Sequence, residues 1–360
     1  METDNALRYP IALAPAQSAT RKTRNPQRNG FVKYGCDLTY GKWLSPGPSE
    51  LTWKDAMKRF ASIVLVLLVV PLLLLAQPKP ASIPFTTNSD GFIVVPVTLG
   101  GSVPIHVIFD TGAGLDVLAP GLIEKVHGKP AGQFTGFRMT GERLDISLFI
   151  VSEVSIGPMV KKDALVGSWD VLDKLHLDGI ISLSEFRQQP FTFDFANKEL
   201  IFETEETMIK RRAAGKSSPL QVDDQRGISL SMFARFLIAD QPGLCEIDTG
   251  SPTATVNTRY MTPLRIDKDA KDVRKHEGHT VAGGVEVRYD TSLPRLSLAA
   301  APQISLVPAP VSFSDIVYDC VVGVDFWHDR ALTIDIANRQ LIVSNAARNA
   351  GGEEAGHADR

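Results

Sequence analysis

Phe109-Asp110-Thr111-Gly112-Ala113 recurs, nearly unchanged, as Ile247-Asp248-Thr249-Gly250-Ser251. The second copy lies 138 positions after the first. Each follows a β-prone apolar run, Val103–Phe109 in one case and Leu244–Ile247 in the other. With each residue type making up roughly one position in fifteen to twenty of ordinary chains, two Asp-Thr-Gly triplets in matched settings call for a common cause. The duplication continues downstream. Asp178-Gly179-Ile180-Ile181-Ser182-Leu183 corresponds to Asp319-Cys320-Val321-Val322-Gly323-Val324, and Thr192–Ile201 corresponds to Thr333–Ile342. Spacing is kept as well, with 84 residues from Asp110 to Asp194 and 87 from Asp248 to Asp335. A period this long exceeds that of solenoid repeats and indicates a duplicated domain. Two lobes of one design follow, each contributing an aspartate.

The 360 residues are 44% hydrophobic and 22% charged, with a formal net charge of −3. That balance is ordinary for a globular chain and gives no basic excess for nucleic acid. Three cysteines exclude a disulfide scaffold, and no CxxC or HExxH stretch points to zinc. His276 and His279 read as solvated loop residues, since no third ligand is evident beside them.

Residues 1–56 are polar and aperiodic and read as disordered or as an over-called start before Met57. Residues 57–76 carry Lys58-Arg59 and then an apolar run over 60–76, which suits either a signal peptide or a membrane anchor. In both readings the preceding positive charges place the lobes outside the cytoplasm, with a membrane contact through 60–76 if that segment is uncleaved. Residues 77–88 form a linker. The first lobe spans 89–205, a charged connection spans 206–220, the second lobe spans 221–344, and 345–360 is a disordered tail. Within the lobes apolar periodicity is nearer two than 3.6, so the protein is expected to be mainly β. Phe134–Arg143 with Gly136 and Gly141, and His279–Val287 with Gly283-Gly284, read as matching mobile hairpins.

An aspartate in a glycine-flanked turn at a strand end presents its carboxylate outward from a rigid base. Two such turns facing each other bring the carboxylates within hydrogen-bond reach, where both cannot ionise cheaply, so the pair shares a proton. The ionised member then takes a proton from water while the protonated one donates to a substrate carbonyl. Neither a metal nor a cofactor is required.

These motifs resemble those of aspartic peptidases of the pepsin and retropepsin clan. Asp110-Thr111-Gly112-Ala113 and Asp248-Thr249-Gly250-Ser251 match its catalytic loops, and Val321-Val322-Gly323 matches its second signature, whereas Ile180-Ile181-Ser182 departs at the glycine. The resemblance covers roughly residues 89–344. It implies a bilobal acid-protease fold of two pseudo-twofold-related, retropepsin-like β-barrel lobes, similar to a fused retropepsin dimer. It also implies catalytic Asp110 and Asp248, supported by Thr111, Gly112, Thr249, Gly250 and Ser251. Thr111 and Thr249 would grip each other beneath the dyad. No tyrosine lies between Tyr40 and Tyr260 to serve as a pepsin-type flap tyrosine, which leaves Phe137, Met139, Gly141, Gly283 and Gly284 as covering residues.

Ala113 lacks the hydroxyl that Ser251 has, so Asp248 is expected to be the more readily ionised carboxyl, with activity at mild pH. Asp194 and Asp335 read as turn-stabilising acceptors, and pairing of Cys245 with Cys320 is left open. The implied activity is cleavage of peptide or protein substrates in a cleft between the lobes, with no need for oligomerisation. A non-catalytic peptide-binding module and an autoprocessing enzyme are the alternatives.

Overall fold

The computed structural model describes residues 80–280 and 284–345. The expected leader, 1–56 and 57–76, the first residues of the linker, Gly283 and all but the first residue of the tail lie outside them. Among the described residues no helix is long and apolar enough to cross a membrane.

The first lobe begins with alternation. Ile93, Val95, Val97 and Leu99 of the strand Ile93–Leu99 point inward, while the residues between them are partly or fully exposed. This strand pairs antiparallel with Val103–Phe109, which pairs parallel with Gly179–Ile181, and the sheet continues through Val117–Leu118, Met159–Ser168, Arg143–Ile156 and Lys129–Phe137. A second pairing, Leu99 with Val154, folds the eight-stranded sheet back on itself. The second lobe repeats the plan in a ten-stranded sheet. Gln241–Ile247 pairs parallel with Cys320–Val322, which lies antiparallel to Ala254–Asn257, as Gly179–Ile181 lies antiparallel to Val117–Leu118. The duplicated sequence is thus a duplicated topology. Leu293–Val311, whose Pro and Ala content suggests strand and loop, holds Leu296–Leu298, Ala301–Leu306 and the start of Ala309–Ser314.

A six-stranded sheet joins the lobes, ordered Ser82–Pro84, Glu199–Phe202, Phe191–Asp194, Arg330–Asp335, Gln340–Asn345, Lys216–Pro219. Its centre is the antiparallel pair of one strand from each lobe, where Thr192 faces Thr333 and their hydroxyls lie 2.7 Å apart. The two outer strands come from segments that the sequence reads as linker and connection. Each is three or four residues long and ends in proline, too short to show a period of its own.

The charged connection departs from a simple solvated link in a second way. Glu205–Ala214 is a helix with only Met208 buried, so it carries no apolar stripe. Its ends hold it instead. Thr204 and Thr207 form a reciprocal capping box, Glu205 and Glu206 occupy the first turn, and Arg211 and Arg212 the last. Arg211 donates to the buried Glu203 carboxylate at 2.8 Å, and Arg212 reaches Asp335 at 3.1 Å. Asp335 accepts from the Asn338 N–H and Asp194 from the Asn197 N–H, so both serve their own turns.

Candidate active site

Each Asp-Thr-Gly turn rests on a packed floor. Phe109 is fully buried and lies 5.0 Å from the Phe186 ring and 4.9 Å from Phe193, centroid to centroid. Each such aromatic pair contributes about 0.5–1.5 kcal/mol beyond burial, which fixes the base from which Asp110 projects. Ile247 plays the same part in the second lobe, and Cys245 beside it is joined to Cys320 by a disulfide across the parallel strand pair.

The turns interlock. The Thr111 hydroxyl donates to the Ile247 carbonyl at 2.7 Å and accepts from the Thr249 N–H at 3.0 Å. Thr249 does the reverse, donating to Phe109 at 2.7 Å and accepting from the Thr111 N–H at 3.0 Å. All four bonds are buried. A Cβ at Gly112 would stand 2.6 Å from the Asp248 carboxyl, and one at Gly250 would stand 2.3 Å from the Asp110 carboxyl, so each carboxyl lies over the opposite lobe's glycine. Asp110 and Asp248 thus face each other across the seam, close enough that the charge of one bears on the other.

This is the bilobal acid-protease fold. No protein-family model matches the chain, and no match is found among curated protein sequences. Solved structures similar to it include EDGP (TM-score 0.48, 10% identity, covering 75% of this chain and 95% of that one). Basic 7S globulin from soybean is also similar (TM-score 0.45, 11% identity, covering 74% and 95%).

Within this acid-protease fold the two carboxyls are not equivalent, and the asymmetry runs opposite to the expectation from Ser251. Asp110 Oδ1 accepts from the Gly112 N–H at 2.8 Å and the Ala113 N–H at 3.0 Å. Among the described residues Asp248 accepts only from the Gly250 N–H, at 2.7 Å. The Ser251 hydroxyl turns away and donates to the Thr253 carbonyl at 2.8 Å, so it gives Asp248 nothing. Burial, the Asp110 charge and then the Glu246 charge push the Asp248 carboxyl well above the usual carboxylate range. The shared proton therefore belongs on Asp248.

The two hairpins that match in sequence meet each other. In the first, Lys129–Phe137 and Arg143–Ile156 flank a tip at 138–142. The second is Arg274–His279 with Val285–Leu293, so His276 and His279 are strand residues, with His276 3.0 Å from Asp290. The Met139 carbonyl accepts from the Val317 N–H at 2.8 Å, and Gly141 lies against Val317. Phe137 is 67% exposed, so its ring is not packed down over the dyad.

Glu142, which sequence reading passed over, carries the contact between hairpins. Its Oε1 accepts from the Thr280 hydroxyl at 2.7 Å and from the Gly284 N–H at 3.0 Å. The Thr280 bond holds its pKa below the ordinary value against the opposing effect of burial, with Thr140, Arg138 and the Gly284 N–H adding to it. Glu246 was also missed. It is 4% exposed, and burial followed by the Asp110 charge pushes its carboxyl up to about 8. The signal was present: an acidic residue inside an apolar strand, at the same parity as Asp248.

Proposed function

We propose that the chain is an aspartic-type endopeptidase that hydrolyses peptide bonds of an extended substrate held between the lobes under the two hairpins. The observation that supports it most is the facing pair Asp110 and Asp248, one from each lobe, each carboxyl lying over the other lobe's glycine on the interlocked threonines. Asp110, with two backbone N–H donors on Oδ1, is the base that takes a proton from the attacking water. Asp248 donates its proton to the carbonyl oxygen as the tetrahedral centre forms. When the carbon–nitrogen bond breaks, the proton gained by Asp110 passes to the leaving amine, and the proton lent to the carbonyl oxygen returns to Asp248 as the carbonyl re-forms. Thr111 and Thr249 hold the carboxyls in register. The hairpin tips close over the peptide, as in a single-chain counterpart of a retropepsin dimer. The Cys245–Cys320 disulfide supports an extracytoplasmic site of action, since such bonds persist in oxidising compartments.

Cleavage of a mixed peptide library by the purified chain, and by Asp110→Asn and Asp248→Asn, tests the reading. Wild type is expected to cleave and both variants to be silent. Because Asp248 must stay protonated and its pKa is raised, activity persists as pH rises through the usual carboxylate range and is lost only above the raised value. A pH–rate profile confined to strongly acidic pH contradicts that assignment. Peptide binding without cleavage at any pH replaces the peptidase with a non-catalytic binding module.

A further inference from the structure

Glu246 lies two residues before Asp248 on the strand Gln241–Ile247, so the two side chains share a face, while Cys245 and Ile247 between and beside them are fully buried in the core. Across the antiparallel register Glu246 is opposite Phe233, which puts Phe233 and, two residues earlier, Ser231 on that same face. Ser231 opposes the upward shift of the Glu246 carboxyl only weakly, and Oε1 of Glu246, buried, has no partner among the described residues. Among the described residues no cation forms an ion pair with it. The groups that feel or influence it are Asp110, Asp248 and the half-buried Tyr318, which in turn senses Asp223. The Tyr318 ring packs edge-on against Phe233 with centroids 5.1 Å apart. The matching position in the first lobe, two residues before Asp110, is the apolar Ile108.

A buried carboxyl with a free oxygen, next to an aromatic pair and two further carboxyls, lacks only a positive charge. Building on the peptidase reading, we propose that Glu246, with Phe233 and Tyr318, receives a lysine or arginine side chain of the substrate on the Asp248 side of the scissile bond. The raised Glu246 pKa is what an empty cation site of this kind has; an incoming ammonium or guanidinium group returns the proton to solvent and leaves the carboxylate paired.

Two peptides identical except for lysine or norleucine at one position beside the scissile bond, scanned through the positions on either side, test the proposal. Wild type is expected to favour lysine at one of them by tenfold or more in kcat/KM, and Glu246→Leu to reverse that preference while still cleaving the norleucine peptide. Glu246→Gln, which keeps the shape of the side chain, serves if the leucine variant does not fold, and is expected to abolish the preference. If neither peptide is cut, calorimetry of the same peptides binding to wild type and Glu246→Gln separates the two ideas. Tighter lysine binding that depends on Glu246 upholds the cation site while the peptidase reading fails. Equal affinities, or cleavage indifferent to lysine at every position, overturn the site whatever the chain's activity.

Discussion

Ser182 and Gly323 hold corresponding places in the two lobes, and their difference has a partner. The Ser182 N–H and hydroxyl both donate to Asp116 Oδ1, at 2.7 and 2.8 Å, deep in the first lobe. Position 254, the counterpart of Asp116, is alanine, and at Gly323 an added Cβ would meet the Ser251 and Thr253 carbonyls at 2.5 and 2.6 Å. The lobes thus carry alternative pairs, Asp with Ser or Ala with Gly. Replacing Ser182 by alanine is expected to destabilise by about 1–2 kcal/mol, because the buried Asp116 loses a hydrogen bond. Combined with Asp116→Ala, the Ser182→Gly change is expected to be milder than the two single effects added together, as measured by denaturant unfolding. Additivity within error would show that the pair is not coupled. Ser182 is visible in the sequence as a departure from the repeat. Asp116 is not, because 66 residues separate it from its partner and only the fold brings them together.

Glu246 gives a second test at this scale. Its folded pKa of about 8 lies above the unfolded value, so the native state holds its proton between roughly pH 4.5 and 8, and stability falls as pH rises through that window. At about 1.4 kcal/mol per unit, Glu246→Gln is expected to gain about 3 kcal/mol on wild type between pH 4.5 and pH 7. A difference between the two unfolding curves that does not change with pH would place the carboxyl in solvent.

At the level of elements, the paired hairpins and the connecting helix were unequally legible. Glycine-bearing tips reveal the hairpins, although the strand Arg274–His279 carries no apolar residue and is exposed throughout, whereas Glu205–Ala214 has one buried residue and so no stripe to read. Its signals were at the ends: Thr204 three residues before Thr207, acids first, bases last. The contact between hairpin tips was illegible because a single glutamate on a loop has no pattern. Glu142 has a depressed pKa, so what it contributes to closure is fully present above its unfolded value near 4.5 and fades as pH falls through the lower folded value. Hydrogen exchange at 138–142 is expected to quicken by about tenfold in Glu142→Ala and, in wild type, on acidification. Unchanged protection in both cases would mean that the tips are held by the Met139–Val317 bond alone.

Over the whole molecule, the lobes meet at the hairpin tips above the dyad and, at their base, through the buried threonine lattice and the six-stranded sheet. The lattice follows from the repeated triplet. The sheet does not, since its outer strands are brief and its central pair forms between segments 141 positions apart. Thr111→Val keeps the shape of the side chain but removes a donor to Ile247 and leaves the buried Thr249 N–H without an acceptor. About 2–4 kcal/mol of stability is expected to go with it, and activity as well, while Thr111→Ser is expected to restore both. A valine variant as stable as wild type would mean that the sheet alone sets lobe geometry.

The central pair of that sheet joins Phe191–Asp194 to Arg330–Asp335, strands descended from the same ancestral segment. Such an edge recognises its sibling by shape and cannot distinguish one on its own chain from one on a second molecule. The ten-residue helix between the lobes keeps the chain's own sibling at high local concentration. Refolded in concentrated solution, or with that tether lengthened, two chains are free to trade lobes reciprocally and yield a particle with two complete clefts, each built from both polypeptides.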